Sequence, residues 1–466
     1  LEGRPVLARA ATWRYRFGKW LRRHRVAIPA GAAAALLIAG FAGATWWEAR
    51  RSERRFQQVR LLAGSVMYEL HDAIRTLPGS TSARALLVRR AMQYLENLNR
   101  EAGNRPDLQL DVAKGYIRVG EVEGFLGESN LGNMPGAAAN FGKGEAILAG
   151  LVARFPHDQN LIREHQRASV FLVGAYTAAG RFPEALALSQ RTAATADQML
   201  TAHADDSGIV DDAIACLSNQ ADVLTTLQQY AQATPIRERV ELLSTRLVAL
   251  RPQSAEAART LALSHKKLAA LYGMANRYAD ARGRYLQAAA IDERRLAANP
   301  NDTRAKLDLS FDYGDLGWVA GRMGQFADSL AAYRRVYALR AEVAQADPND
   351  QRALESLAGA GNRVGIALRR VGDFDGAERE QRRAIAMFED MIKRGKFYWD
   401  TVRRLALAHD DLADTIEQRC ASCKGRVLAE LNVDWDLMQG LRAKGQLPKA
   451  DDQYLKELAE RREKLR

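Results

Sequence analysis

The chain has 466 residues, of which 27% are charged and only 12 are proline, and its formal net charge is +12. Such a composition suits helices throughout an extended protein. Residues 1–25 carry eight basic side chains and one acidic one, so they supply +7 of the net charge and leave +5 for all that follows. That remainder is small for the length. We therefore expect no nucleic-acid partner.

Residues 26–47 form an uncharged stretch of 22 residues, VAIPAGAAAALLIAGFAGATWW. At about 1.5 Å per residue a helix of this length is roughly 33 Å long, enough to cross a hydrocarbon core of about 30 Å. We expect a single transmembrane helix, although Ala42-Gly43-Ala44 also resembles the cleavage site of a signal peptide. The basic residues 1–25 then mark the cytoplasmic side and are attracted to anionic lipid headgroups. The expected location is the cell inner membrane, single-pass, with the repeats extracytoplasmic (periplasmic).

Residues 48–105 are predicted to form a juxtamembrane helical hairpin. Its first helix, Glu48 to about Thr76, has one apolar stripe, and Leu77-Pro78-Gly79-Ser80 ends it before a second helix that runs to about Ala102. The stripe either packs on the second helix or forms a dimer seam. A possible homodimer is also suggested by small residues on one face of the apolar stretch, namely Gly31, Ala35, Ala39 and Gly43.

From residue 106 to 398 the sequence repeats every 48 residues, six times. A large apolar residue that opens a helix recurs at Met134, Phe182, Tyr230, Tyr278, Phe326 and Phe374. Three positions later a small residue recurs at Ala137, Ala185, Ala233, Ala281, Ser329 and Ala377. Two positions before the opening residue stand Gly132, Gly180, Gln228, Asn276, Gly324 and Gly372, of which all but Gln228 tolerate a left-handed helix end. The unit is a helical hairpin, and its repetition predicts a solenoid.

These offsets resemble those of the tetratricopeptide repeat, which Leu268, Asn276, Tyr278, Ala281 and Pro300 fill well. The family's repeat usually has about 34 residues, so each unit here carries about two extra turns per helix. The resemblance implies an all-α fold, a right-handed α-solenoid of about six elongated hairpins that follows the transmembrane helix.

The 48-residue register ends after Phe374. We expect residues 399–466 to cap the solenoid with a helix, an irregular loop and a charged closing helix from about Ala450. The loop contains Cys420-x-x-Cys423, for which a disulfide, two free thiols, a redox dithiol and a zinc site with His409 all stay open. Cys216 is expected in the core. We assign no catalytic, metal-binding or cofactor-binding residue from the sequence.

A second resemblance covers most of the chain and is most specific over residues 54–98. The basic segment WRYRFGKWLRRHR, the apolar stretch, RRFQQVRLLAGSVMYELHDAIRTLPGSTSARALLVRRAMQYLENL and the repeats together resemble the C-terminal part of bacterial membrane-anchored serine/threonine protein kinases. The resemblance implies a kinase domain before Leu1, and the missing initiator Met also favours a longer protein. Asp373-Phe374-Asp375-Gly376 is a repeat turn that only resembles the magnesium-binding triplet of kinases, so the chain itself is expected to transfer no phosphate.

The tetratricopeptide resemblance also implies a ligand groove lined by the first helix of each hairpin. In that family the positions twelve, eight and five before the turn aromatic tend to face the groove. Carried onto this register they give the candidate binding residues Asp222, Lys266, Trp318, Asn362 and Arg369, with Gly314 and Gly321 beside the tryptophan. Trp318 with Arg369 would suit an extended peptide or a carboxylate, and the alternative is that Trp318 packs against the next repeat.

Two functions stay open at this stage. The first is the membrane anchor and extracytoplasmic protein-interaction or sensor region of a receptor-like kinase, which transduces a signal when a protein or peptide binds the groove. The second is a free-standing membrane-tethered scaffold for envelope protein complexes. The partner is expected to be a protein or peptide, and no cofactor is expected.

Overall fold

A computed structural model describes residues 13–24, 36, 39–41, 43–47, 50–51, 81–124, 133–348, 350–395, 399–448 and 451–466. Helices joined by turns and short loops make up these ranges, and none of them contains a strand. The chain divides into two compact units, Leu1–Asn97 and Leu98–Arg466. The helices described in or across the first unit are α1 (Trp13–Arg23) and α2 (Thr81–Ala102), and the described residues between 36 and 51 are also helical.

The prediction of a transmembrane helix over residues 26–47 is wrong for the residues that the structure describes. Leu36 and residues 39–41 and 43–47 are helical, whereas residues 26–35 lie outside the described ranges. No helix among the described residues has the length and apolar content that a membrane span needs. Twelve of the 22 residues are Ala or Gly, whose side chains add little apolar surface, so freedom from charge alone was a weak basis for predicting a membrane span. The prediction of a single-pass inner-membrane location depended on that helix and is wrong for the same reason.

The described residues of the second unit form seven helical hairpins and a closing helix. The first helices are α3 (Pro106–Gly124), α5 (Gln159–Ala178), α7 (Ser207–Thr226), α9 (Ala255–Met274), α11 (Thr303–Arg322), α13 (Gln351–Arg370) and α15 (Trp399–Arg419). The second helices are α4 (Met134–Arg154), α6 (Phe182–Ala202), α8 (Tyr230–Leu250), α10 (Tyr278–Ala298), α12 (Phe326–Ala346), α14 (Phe374–Lys393) and α16 (Lys424–Ala443), and α17 (Asp452–Leu465) closes the unit. Each helix packs on the next along the chain, which confirms an all-α solenoid of tetratricopeptide-like hairpins.

The starts of the first helices follow from capping residues with the same 48-residue spacing. Asp158, Asp206, Ser254, Asp302 and Asp350 precede five first helices, and each side-chain oxygen accepts a backbone N–H from the first turn. A side-chain acceptor satisfies amide groups that have no partner within the helix. The second helices of hairpins 1 to 6 begin at the six large residues predicted from the sequence.

The helices inside a hairpin are joined by a left-handed turn. Gly180, Gln228, Asn276, Gly324 and Gly372 all have positive φ, between 58° and 86°. The N–H after each one donates to a carbonyl five residues earlier, as from Arg181 to Tyr176, so the last turn of the first helix is closed. Gln228 adopts this conformation although its Cβ disfavours it. The turn of hairpin 1 lies outside the described residues.

Small residues let the two helices of a hairpin approach closely. The residue three positions after each opening residue is buried in all six predicted repeats: Ala137, Ala185, Ala233, Ala281, Ser329 and Ala377. In hairpin 5 the Ser329 hydroxyl donates a 2.7 Å hydrogen bond to the Gly317 carbonyl, which is across the hairpin. Large apolar side chains such as Leu268 and Leu309 fill the space on either side.

The expectation of about six hairpins needs a correction at the C-terminus. Residues 399–443 form a seventh hairpin in place of a helix with an irregular loop, because Trp399 again lies 48 residues after the start of the preceding first helix. Its second helix starts at Lys424, two residues late, after a turn that contains Cys420 and Cys423. The two cysteines form a disulfide. One extra residue in the first helix and one in the turn, compared with hairpin 6, concealed the repeat in the sequence.

The left-handed turns give a test of backbone strain. We expect Gln228→Gly to raise the free energy of unfolding by about 0.5–1 kcal/mol, because glycine removes the Cβ clash at φ 58° but loses more chain entropy on folding. Gln232→Gly is the matched control, because Gln232 is exposed inside helix α8 with negative φ, where glycine should only destabilise. Urea denaturation measures both, and equal effects at the two positions would contradict the strain.

Candidate functional site

The first helices present one side to solvent, and we call it the first-helix face. It consists of the positions fifteen, eleven, eight and four before the residue that opens the second helix. In hairpins 4, 5 and 6 these positions are Leu263, Lys267, Ala270 and Met274; Phe311, Asp315, Trp318 and Arg322; and Gly359, Arg363, Ile366 and Arg370. None of the twelve is buried. The spacing by four and three is that of one side of an α-helix.

Trp318 is the sequence-predicted candidate that lies most clearly on this face. Its side chain is 43% exposed. The indole meets the Tyr278 ring edge to face at 6.0 Å, and a Cβ on Gly273 would lie 2.9 Å from its Cζ3 atom. Trp318 therefore packs against the preceding hairpin, where a glycine makes room, and keeps the rest of its surface open to solvent.

Asp222 also lies on the first-helix face, and its carboxylate already has two cationic partners. Oδ1 accepts hydrogen bonds from the buried Arg237 at 2.5 Å and from Lys267 at 3.0 Å. Lys267 belongs to the next hairpin, so the carboxylate links the two hairpins. A ligand at Asp222 would have to share or displace Lys267.

The other three predicted residues point into the layer between neighbouring hairpins. Lys266 uses all three ammonium hydrogens: Nζ lies 2.9 Å from Asp292 Oδ2, 3.0 Å from Asp312 Oδ1 and 3.1 Å from the Asp308 carbonyl. Asn362 Nδ2 donates to Asp411 Oδ2 at 2.8 Å, and the buried Arg369 donates to the Asp411 carbonyl at 3.3 Å and pairs with Asp414 at 2.9 Å. The structure thus brings Asn362 and Arg369 together around Asp411.

The side chains of Lys266, Asn362 and Arg369 point away from solvent because their positions are shifted by one residue from those of the first-helix face. Lys266 stands twelve positions before Tyr278 and the solvent-facing Lys267 stands eleven before it, so their side chains differ in direction by about 100°. The ligand-binding role of all five candidates stays a prediction.

Phe311, which the sequence reading did not single out, adds an apolar side chain to the face. It lies seven residues before Trp318, two helical turns away on the same side, and it is 57% exposed. The sequence contained only part of the signal, because a spacing of seven places two large aromatic residues on one side of a helix but does not say whether that side is exposed. The guanidinium carbon of Arg340 lies 5.6 Å from its ring centroid.

Arg340 is partly buried beside this apolar surface. It donates to Ser310 Oγ at 3.4 Å and to the Ser356 carbonyl at 3.1 Å, and among the described residues no carboxylate lies within ion-pair distance of it. Burial lowers the pKa of Arg340 to about 10, and the charges of Arg363 and Arg404 act in the same direction. A desolvated cation beside two others is a place where a negative group would be stabilised.

Arg363 and Asp315 complete the surroundings on the face itself. Arg363 is exposed, and its Nη1 would lie 3.8 Å from a Cβ on Gly314, so the guanidinium lies beside the first helix of hairpin 5. Burial raises the pKa of Asp315 to about 6, although Lys266 and Arg363 oppose this. Arg404, by contrast, is paired with Glu355 at 3.0 Å and Asp400 at 2.7 Å. Of the arginines Arg340, Arg363 and Arg404, the first two have no carboxylate within ion-pair distance among the described residues.

The cysteines offer little chemistry. Cys420 and Cys423 are joined as a disulfide, and in the described part of the chain no group of three or more His, Cys, Asp or Glu side chains is arranged to hold a metal ion. Cys216 is buried, and burial raises the pKa of its thiol to about 12, which keeps it protonated and unreactive.

The chain is similar in architecture to solved structures, at low sequence identity. The chain is similar to BtubC from P. vanneervenii (16% identity, 55% of this chain and 92% of that chain, TM-score 0.45) and to RapI in its apo form (13%, 71% and 99%, TM-score 0.43). It is also similar to a tetratricopeptide repeat protein from Parabacteroides merdae (15%, 70% and 93%, TM-score 0.34). At these scores the fold rests on the hairpins described above and not on the likeness. No protein-family profile and no curated protein sequence matches the chain.

The carboxylates around Lys266 give a test by pH. Burial raises the pKa of Asp312 to about 8, with Lys266 opposing and Asp292 adding to the shift. Folding then takes up a proton between about pH 4 and 8, so this group makes the protein less stable as pH rises through that window. Asparagine needs no proton at this position. We therefore expect the free energy of unfolding of Asp312→Asn, relative to that of the wild type, to rise by at least about 1 kcal/mol from pH 5 to pH 8. Thermal denaturation at each pH measures it.

Asp308→Asn is the control with the opposite sign. Burial would raise the pKa of Asp308, but hydrogen bonds from Arg259 and Arg295 outweigh it and lower the pKa. That carboxylate stabilises the fold above its unfolded pKa, so its loss should cost stability at neutral pH and much less in acid. A stability difference between Asp312→Asn and wild type that does not change with pH would show that Asp312 is ionised in the fold.

Proposed function

We propose that the chain is a protein-binding scaffold that holds an extended peptide on the first-helix face of hairpins 5 and 6. The observation that carries the proposal is the pairing of two exposed aromatic side chains, Phe311 and Trp318, with the guanidinium groups of Arg340 and Arg363. Exposed aromatic residues beside arginine are the groups that contribute most to protein interfaces.

The arrangement favours a peptide with one apolar and one acidic side chain. An apolar side chain packs on Phe311 and the open part of Trp318. A carboxylate one or two residues away reaches Arg363, and its charge offsets that of the partly buried Arg340. The described residues supply no carboxylate within ion-pair distance of Arg340, so the acidic group would have to come from the ligand.

A finer proposal joins this scaffold to a serine/threonine protein kinase. Its support is the resemblance of residues 54–98 to the corresponding segment of such kinases, and the part of that segment that the structure describes belongs to helix α2. In this reading a ligand on the first-helix face would regulate a kinase domain encoded before Leu1. Sequencing the reading frame upstream of Leu1 tests this proposal. A kinase domain there would support it, and an unrelated domain would favour the free-standing scaffold instead.

The peptide proposal predicts a specific loss on mutation. Peptides selected from a random 12-residue library on the whole chain should pair an acidic with an apolar residue. Phe311→Ala and Arg363→Ala should each weaken a selected peptide about tenfold, or about 1.4 kcal/mol, in fluorescence anisotropy. Leu242→Ala and Arg379→Ala are the matched controls, because both side chains are exposed on second helices.

Controls that lower affinity as much as the site variants would place the peptide elsewhere. Circular dichroism melts accompany each variant, since Trp318 also packs on Gly273 and its removal affects stability. Phe311 and Arg363 are the better positions for that reason, as each is exposed and neither fills the core.

A further inference from the structure

Helix α1 carries a row of aromatic rings along one side. Trp13, Phe17 and Trp20 are spaced by four and three residues, and the ring centroids lie 6.0 Å and 5.9 Å apart. The His24 ring continues the row, 5.3 Å from Trp20. The three large side chains are 71%, 50% and 51% exposed. A continuous apolar strip is therefore open to solvent over the full length of the helix.

The rest of the helix surface is basic. Arg14, Arg16, Lys19, Arg22 and Arg23 are the charged residues of α1, and the helix contains no Asp or Glu. At about 100° per residue these five side chains fall outside the sector of Trp13, Phe17, Trp20 and Leu21. The helix thus separates a narrow apolar side from a wide side with a charge of +5. This pattern is typical of helices that lie in a membrane interface.

We infer that α1 binds flat on an anionic lipid surface. The rings enter the boundary between headgroups and acyl chains, and the arginines reach the lipid phosphates on either side. Aromatic side chains favour this boundary, where one edge of the ring is apolar and the other is wet. At about 1.5 Å per residue the 11-residue helix is roughly 16 Å long, so it lies on the surface and does not cross a core of about 30 Å.

Charge and shape together favour lipid over other acidic partners. A nucleic acid would neutralise the five cations, but it would bury only those rings that stack on individual bases. A lipid surface covers the whole row of rings while its phosphates meet the cations on both sides of it. The inference concerns helix α1 in the first unit and stands apart from the proposed peptide function, which uses residues of the second unit.

Co-sedimentation of the whole chain with vesicles tests the inference. We expect at least tenfold tighter binding to vesicles of phosphatidylcholine and phosphatidylglycerol in a 3:1 ratio than to phosphatidylcholine alone. Raising the salt from 0.1 to 0.5 M should weaken the binding to the anionic vesicles. Equal binding to both kinds of vesicle would overturn the inference.

Variants then assign the binding to α1. Replacing Trp13, Phe17 and Trp20 together by Ala should reduce binding at least tenfold, and replacing the same three by Leu should restore most of it, because leucine keeps the apolar side and the helix. The double variant Leu242→Ala, Leu286→Ala removes two exposed apolar residues of the other unit and should leave vesicle binding unchanged.

Three outcomes contradict the inference. The triple alanine variant binds anionic vesicles as the wild type does, the double variant loses as much binding as the triple one, or poly(U) at equal phosphate concentration displaces the chain from the vesicles. Peptide binding at Phe311 is measured separately, so either result can fail without the other.

Discussion

The close crossing of two helices inside each hairpin decides the geometry of residues 98–466. A buried Ala or Ser three residues into each of the six predicted second helices lets the backbones approach, and a left-handed residue in each described turn of hairpins 2 to 6 sets the direction of the return. A hairpin built this way still leaves one side of its core uncovered, and the next hairpin covers it. The positions of the side chains on the first helices, including Phe311 and Trp318, therefore depend on that crossing.

The layers between hairpins contain buried charged side chains as well as apolar ones. Lys266 is surrounded by Asp292 and Asp312, and Arg259 forms ion pairs with Asp308 of the next hairpin. Buried charges of this kind contribute little net stability, because desolvation costs about as much as pairing returns. They do penalise wrong neighbours, since a hairpin that shifted by one turn would leave a charge buried without its partner. The apolar crossing makes the hairpins, and the charges select how they stack.

Much of the second unit could be predicted because its rules repeat. The opening residues from Met134 to Phe374 mark helix starts, and the small residues after them are buried. Gln228 shows the limit of residue preference, since the turn forces it into the conformation that glycine takes elsewhere. The seventh hairpin was hidden because one extra residue in its first helix and one in its turn shift the second helix by two residues. The stretch after residue 25 was predicted to span a membrane because it lacks charge, and lack of charge is a weaker signal for a span than apolar area.

The first-helix face was harder to predict than the hairpins. Positions taken from the shorter tetratricopeptide unit fall one residue away from the exposed stripe at Lys266, and on it at Asp222 and Trp318. A periodic pattern states which residues share a side of a helix, but not which side meets the next hairpin. That is settled by contacts 40 to 50 residues away, such as the one between Trp318 and Gly273.

The ion pairs between first helices make the hairpins unequal. Arg163 in hairpin 2 pairs with Asp212 in hairpin 3, Arg259 in hairpin 4 pairs with Asp308 in hairpin 5, and Glu355 with Arg404 reverses the sign between hairpins 6 and 7. Removing hairpin 3 alone would bring Thr260 opposite Arg163, because Thr260 lies 48 residues after Asp212. Removing hairpins 3 and 4 together would bring Asp308 there and keep the charge matched. Hairpins 3 and 4 can therefore be lost together without this mismatch, whereas loss of hairpins 5 and 6 would bring Arg404 opposite Arg259, because Arg404 lies 96 residues after Asp308.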